Sequence, residues 1–260
     1  MEVRDKVIVV TGGAGGIGKA MAERFKAAGA RHLVIADVEQ SGAKSVAHAL
    51  QGTAIQTDVS RESEVQQLIE TTESEIGPID LFCSNAGISI AESLISPNEE
   101  WRLIWDINVM SHVYAARHLI PRMLERGGGY LLNTCSAAGL LNQVGGAAYG
   151  VTKHAAVGLG EWMALTYGHR GIVVSLLCPQ AVRTAMTTGD AEGNAAVGAA
   201  AVDGMLEPDA VAECVLQGLR DERFLILPHP RVAEYMQRKT ADYDRWIKGM
   251  NRLHQSLLQT

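Results

Sequence analysis

Short runs of β-branched and aliphatic residues alternate along this chain with stretches of helical period, and that alternation restricts the fold more than any other feature. Val7-Ile8-Val9-Val10 is apolar at every position, the mark of a strand covered on both faces. Ile17, Met21, Phe25 and Ala28 then recur at helical spacing, and Gly29 stops that helix. Further strand-like runs are Leu33–Ala36, Ala54–Gln56, Asp80–Cys83, Tyr130–Asn133, Ile172–Leu177 and Phe224–Leu227. Between them lies a helix that Ser60 is expected to cap, with Val65, Leu68, Ile69 and Ile76 on one face and Gly77-Pro78 as its breaker. A long helical region runs from Asn98 to Arg126, and further helices cover Ala148–Tyr167 and Asp209–Arg220. This order predicts an α/β chain: one doubly wound sheet of about seven parallel strands with helices on both faces.

The glycine-rich run Thr11-Gly12-Gly13-Ala14-Gly15-Gly16-Ile17-Gly18 joins the first strand to the first helix. A tight turn there lets a pyrophosphate approach the backbone, and the helix N-terminus offers it free N–H groups and a positive dipole end. The setting, strand before and helix after, is the one a Rossmann-type dinucleotide site requires. The glycines fit G-x-G-x-x-G from Gly13 and equally G-x-x-x-G-x-G from Gly12, so the pattern alone does not choose between them. Asp37 closes the second strand nineteen residues past Gly18, where an acid is expected to bind the adenosine ribose hydroxyls. A carboxylate there repels the extra phosphate of NADP, and Arg31 and His32 sit at the strand's other end. NAD is the expected cofactor.

Composition excludes other classes of partner. Net charge is −6 with no basic run, against nucleic acid or an anionic membrane surface. No apolar run reaches the length of a membrane span, and a strand begins so soon after Met1 that no signal peptide is expected; the cytoplasm is the expected compartment. Cys83, Cys135, Cys178 and Cys214 form no C-x-x-C pair and read as free, buried thiols rather than metal ligands or disulfides. Without repeat or linker, residues 1–260 read as a single domain, with a substrate loop or small lid at 185–206 (an Ala-rich surface helix fits equally) and a C-terminal extension at 230–260.

Tyr149 and Lys153 lie four apart on a helix and share a face. Ser136 follows the fifth strand, at the sheet's carboxyl edge where such folds bind ligands. A free phenol, pKa about 10, is a poor base at neutral pH, and an ammonium beside it favours the phenolate. A serine hydroxyl hydrogen-bonds a carbonyl oxygen and the alkoxide it becomes. Alone, a Tyr with a Lys one turn on is most often just an amphipathic face.

Taken together, the pieces Thr11-Gly-x-x-x-Gly16-Ile17-Gly18, Asp58-Val59, Asn85-Ala86-Gly87, Asn108, Ser136, Tyr149-x-x-x-Lys153 and Pro179 resemble a classical short-chain dehydrogenase/reductase along nearly the whole chain. The resemblance selects Gly12, Gly16 and Gly18 as the glycines of the loop. It implies an NAD(H)-dependent oxidoreductase interconverting a secondary alcohol and a ketone, with Tyr149 as acid/base. It further implies that Asp58 and Val59 meet the adenine and that Asn85, Ala86 and Gly87 line the adenosine ribose side. Asn108 would hold a relay water to Lys153, Lys153 would bind the nicotinamide ribose, and Val182 and Thr184 would meet the carboxamide. A homo-oligomer, tetramer or dimer, with the Tyr149 helix at an interface, is implied as well.

The chain departs from the family at Gln180, where Gly usually follows the proline, and at Cys135, where Ser often precedes the catalytic serine. Thr11-Gly-x-x-Gly15-x-x-Gly18 also fits an extended short-chain epimerase or dehydratase, whose larger C-terminal substrate domain 260 residues are not expected to hold. An NADP-dependent ketoacyl-type reductase is a second rival enzyme, which Asp37 opposes. A non-catalytic NAD-sensing scaffold is the rival outside catalysis, which the intact Asn108, Ser136, Tyr149 and Lys153 set opposes. Pocket segments rich in small apolar residues (Ile88, Ile90, Leu140, Leu141, Val144, Met186) favour a moderately hydrophobic small-molecule substrate. The C-terminal stretch from Tyr235 to Leu258 has near-helical spacing of aromatic, Met and basic residues, fit to cap a neighbour's site or pack on its own subunit.

Overall fold

Buried strands set the frame. The computed structural model describes residues 1–90, 93–188 and 195–257. Its strands are β1 (Val7–Thr11), β2 (His32–Asp37), β3 (Thr53–Gln56), β4 (Leu81–Ser84), β5 (Gly129–Thr134), β6 (Ile172–Leu177) and β7 (Leu225–Ile226). They pair in parallel throughout, in the order β3-β2-β1-β4-β5-β6-β7. β1 and β4 are buried at every position, as their unbroken apolar runs require. The winding reverses between them, and in open α/β sheets that crevice beyond the carboxyl ends is where ligands bind.

The helices are α1 (Gly16–Ala27), α2 (Gln40–Leu50), α3 (Glu62–Glu75), α4 (Asn98–Trp105), α5 (Ser111–Glu125), α6 (Ala138–Leu141), α7 (Ala147–Tyr167), α8 (Ala195–Ala200), α9 (Pro208–Arg220), α10 (Arg231–Ala241) and α11 (Tyr243–Leu257). Successive strand residues point to opposite faces, so two cores form. Ile8, Val10, Leu33 and Ile35 pack with Met21, Phe25, Val46, Val211 and Val215 of α1, α2 and α9. Val9, Val34, Phe82 and Leu131 pack with Leu68, Leu119, Val157 and Met163 of α3, α5 and α7. Gly29, at φ +91°, ends α1 as expected of a left-handed C-terminal position.

Several local expectations are corrected. Ser60 does not cap α3: its amide and hydroxyl both turn back to the Asp58 carboxylate, at 3.0 and 2.7 Å, and Arg61 takes the N-cap position. The nearer carboxylate outcompetes the helix end for the hydroxyl. The region from Asn98 to Arg126 is helical but not uniform, because Asp106–Met110 forms a π turn between α4 and α5. The stretch Phe224–Leu227 pairs only at Leu225 and Ile226. α2, between β2 and β3, adds a helix to the sequence reading; its N-cap is Glu39, whose carboxylate accepts from the amides of Ser41 and Gly42. Within 185–206, residues 195–200 are helical, and 189–194 lie outside the described residues. The C-terminal extension forms α10 and α11 and packs on its own chain: Tyr235, Met236 and Trp246 meet Leu140, Leu141 and Val232. Among the described residues no helix is long and apolar enough to cross a membrane.

Candidate active site

The carboxyl ends of β1, β4 and β5 are laced together by one side chain. Asn85 donates from Nδ2 to the carbonyls of Thr11 (3.0 Å) and Gly12 (3.3 Å), and its Oδ1 accepts from Thr134 Oγ1 (3.0 Å). Thr11 Oγ1 in turn accepts from the amides of Asn85 (2.9 Å) and Ala86 (3.2 Å). The glycine loop is thereby seated on the sheet. Gly12 and Gly16 stand at φ +63° and +51°, where a side chain is strained, and a Cβ at Gly12 would lie 2.9 Å from Ala86 Cα. At Gly18 a Cβ would run into the Gly12 carbonyl, whereas at Gly15 it would meet nothing within 4 Å. Backbone conformation and close approach therefore single out Gly12, Gly16 and Gly18. Gly13 is also tight, against Ile35, but on the core side rather than the crevice.

Asp37 waits at the adjoining strand end. Its Oδ2 accepts from the Ala14 amide and its Oδ1 from the Glu39 amide, both at 3.0 Å, which fixes the carboxylate beside the loop. This cradle, with its positive-φ glycines, the α1 N-terminus and a fixed acid, fits a dinucleotide.

The second half of the site is built from α7, β5 and the π turn. Ile104 of α4 is fully buried against Ala148, and Tyr149 packs beside them. Lys153, one turn on and 3% exposed, donates from Nζ to the Thr134 carbonyl (3.0 Å) and stands 5.7 Å from the centre of the Tyr149 ring. Ser136 Oγ accepts from the Ala138 amide (3.0 Å), while its own proton has only a long bond, 3.5 Å, to the Pro179 carbonyl. Asn108 sits in the π turn, fully buried. Its Oδ1 accepts from the Ile88 amide (2.9 Å), and its Nδ2 donates to the Ile88 carbonyl (2.9 Å) and Thr152 Oγ1 (3.2 Å). Asn108 Oδ1 and Lys153 Nζ both converge on Gly87, 3.3 and 3.4 Å from where its Cβ would stand.

One cavity of about 850 Å³ joins the two halves. Gly12, Gly16, Ile17, Asp37, Asp58, Val59, Asn85, Ala86, Gly87, Ser136, Tyr149, Lys153, Pro179, Val182 and Thr184 all line it. Gly18 and Asn108 act from behind the wall, through Gly12 and Ile88. Sequence reasoning did not assign Trp246, Met250 and Leu253 of α11 or Tyr235 and Arg238 of α10 to the cavity, although they line it. The i, i+4, i+7 spacing of the three α11 residues signals an amphipathic helix, but not what it covers.

Gln180 also lines the cavity; its amide donates to His229 Nδ1 (3.2 Å), and its side-chain oxygen is buried without a partner. Cys83, Cys135 and Cys178 are buried free thiols and Cys214 is half-buried. A hydrogen bond with Cys135, then burial, keeps Cys178 in the thiol form, and burial does the same for Cys83. Behind the site, His112 on α5 is 1% exposed with both ring nitrogens unpartnered. Burial, and secondarily Lys153, push its pKa down to about 3, so it is neutral. Among the described residues no cluster of three His, Cys, Asp or Glu is placed to hold a metal ion.

A sequence model of the family described as short chain dehydrogenase matches residues 6–195. The chain belongs to this family. Within it, the chain is 34% identical to a 1-deoxy-11-beta-hydroxypentalenate dehydrogenase of Streptomyces exfoliatus, over 87% of this chain and 84% of the relative. It is also 34% identical to a meso-2,3-butanediol dehydrogenase of Serratia marcescens, over 73% of this chain and 76% of the relative. Among solved structures, a short chain dehydrogenase/reductase of Burkholderia phymatum in complex with NAD superposes with a TM-score of 0.85 at 28% identity, covering 94% of this chain and 96% of that one. The glycine loop, Ser136, Tyr149 and Lys153 of this dehydrogenase-family chain all fall inside the matched segment, and α9, α10 and α11 lie beyond it.

Proposed function

We propose that the chain is an NAD(H)-dependent oxidoreductase that interconverts a secondary alcohol and a ketone, with Tyr149 as the acid/base. The observation that carries this reading is the buried Lys153 ammonium beside the Tyr149 ring, with the Ser136 hydroxyl facing the same cavity. A positive charge beside the phenol stabilises the phenolate that must exist once the proton leaves. Ser136 has a proton committed only to a long bond, so its O–H is free to turn to the substrate oxygen and stabilise developing negative charge. Lys153 spends one N–H on Thr134 and keeps two for the crevice, where the nicotinamide ribose is expected. Asn108 holds the Ile88 backbone at the cavity wall, where the relay water to Lys153 that the family resemblance implies would sit.

NAD, when bound, supplies the hydride acceptor next to the carbinol carbon. The residues that would hold it are Gly12, Gly16 and Ile17, with Gly18 supporting the turn, then Asp37, Asp58, Val59, Asn85, Ala86, Gly87, Pro179, Val182 and Thr184. Asp37 supports NAD over NADP, since the 2′-phosphate would meet a fixed carboxylate, and the NAD-bound relative from Burkholderia phymatum agrees. The apolar wall of Leu141, Val144, Met186, Trp246 and Met250 supports a moderately hydrophobic substrate, and the dehydrogenase names of the relatives support an alcohol as its reacting group. Trp162 (54%) and Leu165 (83%) leave an apolar stripe exposed on α7, which supports association with further copies of the chain.

Steady-state assays of a secondary-alcohol and ketone panel with NAD(H) and NADP(H) test the reading. Turnover with NAD and weak turnover with NADP is expected, with Asp37→Ala narrowing the gap. A preference for NADP, or no turnover of any alcohol or ketone, overturns it.

A further inference from the structure

Four charged side chains line the cavity among the described residues. Asp37 and Asp58 flank the cofactor cradle, Lys153 lies on the catalytic floor, and Arg238 stands on the wall that α10 and α11 add. Around Arg238 that wall is aromatic or aliphatic, with Tyr235, Trp246, Met250 and Leu253. Among the described residues Arg238 is the one cation in that wall.

The other cations of α10 are committed elsewhere. Arg231 pairs with Asp203, a carboxylate only 5% exposed, and Lys239 donates to the Leu140 carbonyl at 2.7 Å. Among the described residues Arg238 pairs only with Glu234, one turn back at 3.6 Å, with both side chains about 60% exposed (61% and 59%). Exposed pairs of this kind are weak, and an incoming anion can replace the partner. The guanidinium also lies 5.6 Å from the centre of the Tyr235 ring, which limits its freedom without neutralising it.

We infer that Arg238 is a substrate anchor, and that the substrate class is an apolar alcohol or ketone carrying a carboxylate remote from the reacting carbon. The inference rests on the dehydrogenase reading above and deepens it. The hydrophobic body of the substrate lies against Trp246, Met250 and Leu253, its carbinol faces Tyr149 and Ser136, and its acid group pairs with Arg238 across the cavity. A guanidinium suits this task because it presents paired donors to the two carboxylate oxygens. Arg238 and its apolar neighbours on α10 and α11 also lie beyond residues 6–195, the segment matched by the family. The chain thus carries its discrimination on an element separate from the shared catalytic core.

The test compares a bicyclic hydroxy acid, with its carboxylate on the ring remote from the carbinol, and its methyl ester, each assayed with NAD. Wild type is expected to favour the acid at least tenfold in kcat/KM, and Arg238→Met to reduce that ratio at least tenfold. Arg252→Met, on an exposed cation of α11 outside the cavity, is expected to keep the wild-type ratio. Fluorescence titration with NADH reports folding and cofactor binding of each variant. Ester and acid used equally by wild type, or a ratio unchanged in Arg238→Met, overturns the anchor and leaves the dehydrogenase reading standing. Loss of NADH affinity in Arg238→Met would reassign the cation to the cofactor and likewise overturn the anchor. No turnover of acid, ester or any neutral alcohol overturns both.

Discussion

The cradle at the β1–α1 turn and the wall made by α10 and α11 border one cavity and are built on opposite terms. In the cradle, backbone conformation does the work. Gly12 and Gly16 hold φ values other residues resist, Gly18 packs on a carbonyl, and Asn85 ties three strand ends through its side chain. In the wall, α11 buries no residue fully and touches the cavity only along one stripe, while Arg238 holds a single exposed partner. A cradle built from backbone geometry tolerates few substitutions and recognises an invariant ligand. A wall built from side chains on an exposed amphipathic hairpin can change its ligand without disturbing the sheet.

Substitutions at increasing distance from the chemistry can break or sharpen this contrast. Tyr149→Phe should cost the most: turnover is expected to fall by about 10²–10⁴-fold, the usual worth of a positioned acid/base. NADH binding, followed by fluorescence, should persist, and activity near wild type would remove Tyr149 from the mechanism. Acid comes next, because it attacks the buried floor and not the wall. His112 is neutral in the fold with its pKa pushed down to about 3, whereas in the unfolded chain it titrates near 6.5. Above pH 6.5 both states are neutral and stability is intact. Below it only the unfolded chain takes the proton, so stability should fall by up to about 1.4 kcal/mol per pH unit until pH 3. Denaturant melts from pH 7 to 4.5 measure this slope, and His112→Phe should flatten it; an unchanged slope would assign the acid limb to other groups.

Gly18→Ala against Gly15→Ala tests whether the cradle is as exacting as its geometry. The first forces a Cβ onto the Gly12 carbonyl and should cost about 1–3 kcal/mol together with cofactor affinity. The second meets open space and should stay within about 0.5 kcal/mol of wild type. Equal effects in thermal melts would refute the distinction. Trp246→Ala should be the mildest, raising substrate KM by less than about tenfold, the worth of roughly 1.4 kcal/mol, with NAD KM unmoved. A shift in NAD KM would show that the wall reaches the cofactor.

The same contrast explains what was legible in the sequence. The strands β1, β2 and β4–β6, the glycine loop, Asp37 and the Tyr149–Lys153 face could be read because each depends on local spacing. Which glycines mattered could not be read from spacing alone, since Gly12 and Gly18 are decided by contacts with Ala86 and with each other. Ser60 has the residue type and position of a cap, but the Asp58 carboxylate satisfies it just outside the helix, a competition that spacing does not show. Asn108 entered only through family resemblance, because its partner Ile88 lies twenty residues away. Tyr235 and Arg238 share the least legible part, because helical spacing says that α10 has a face but not that the face looks into a cavity.

One further consequence concerns the turn at Asp106–Met110. Each residue added to a helix advances its direction by about 100°, so the π turn sets the angle between what α4 and α5 display. α4 turns Ile104 toward Ala148 and Tyr149, while α5 turns Leu119 and Met123 into the sheet. Deleting one residue there would restore an unbroken ladder and swing one of those faces away from its partners. The joint's setting is thus stored in a number of residues and not in their identities. A point substitution alters what the joint touches; an insertion or deletion alters where it aims.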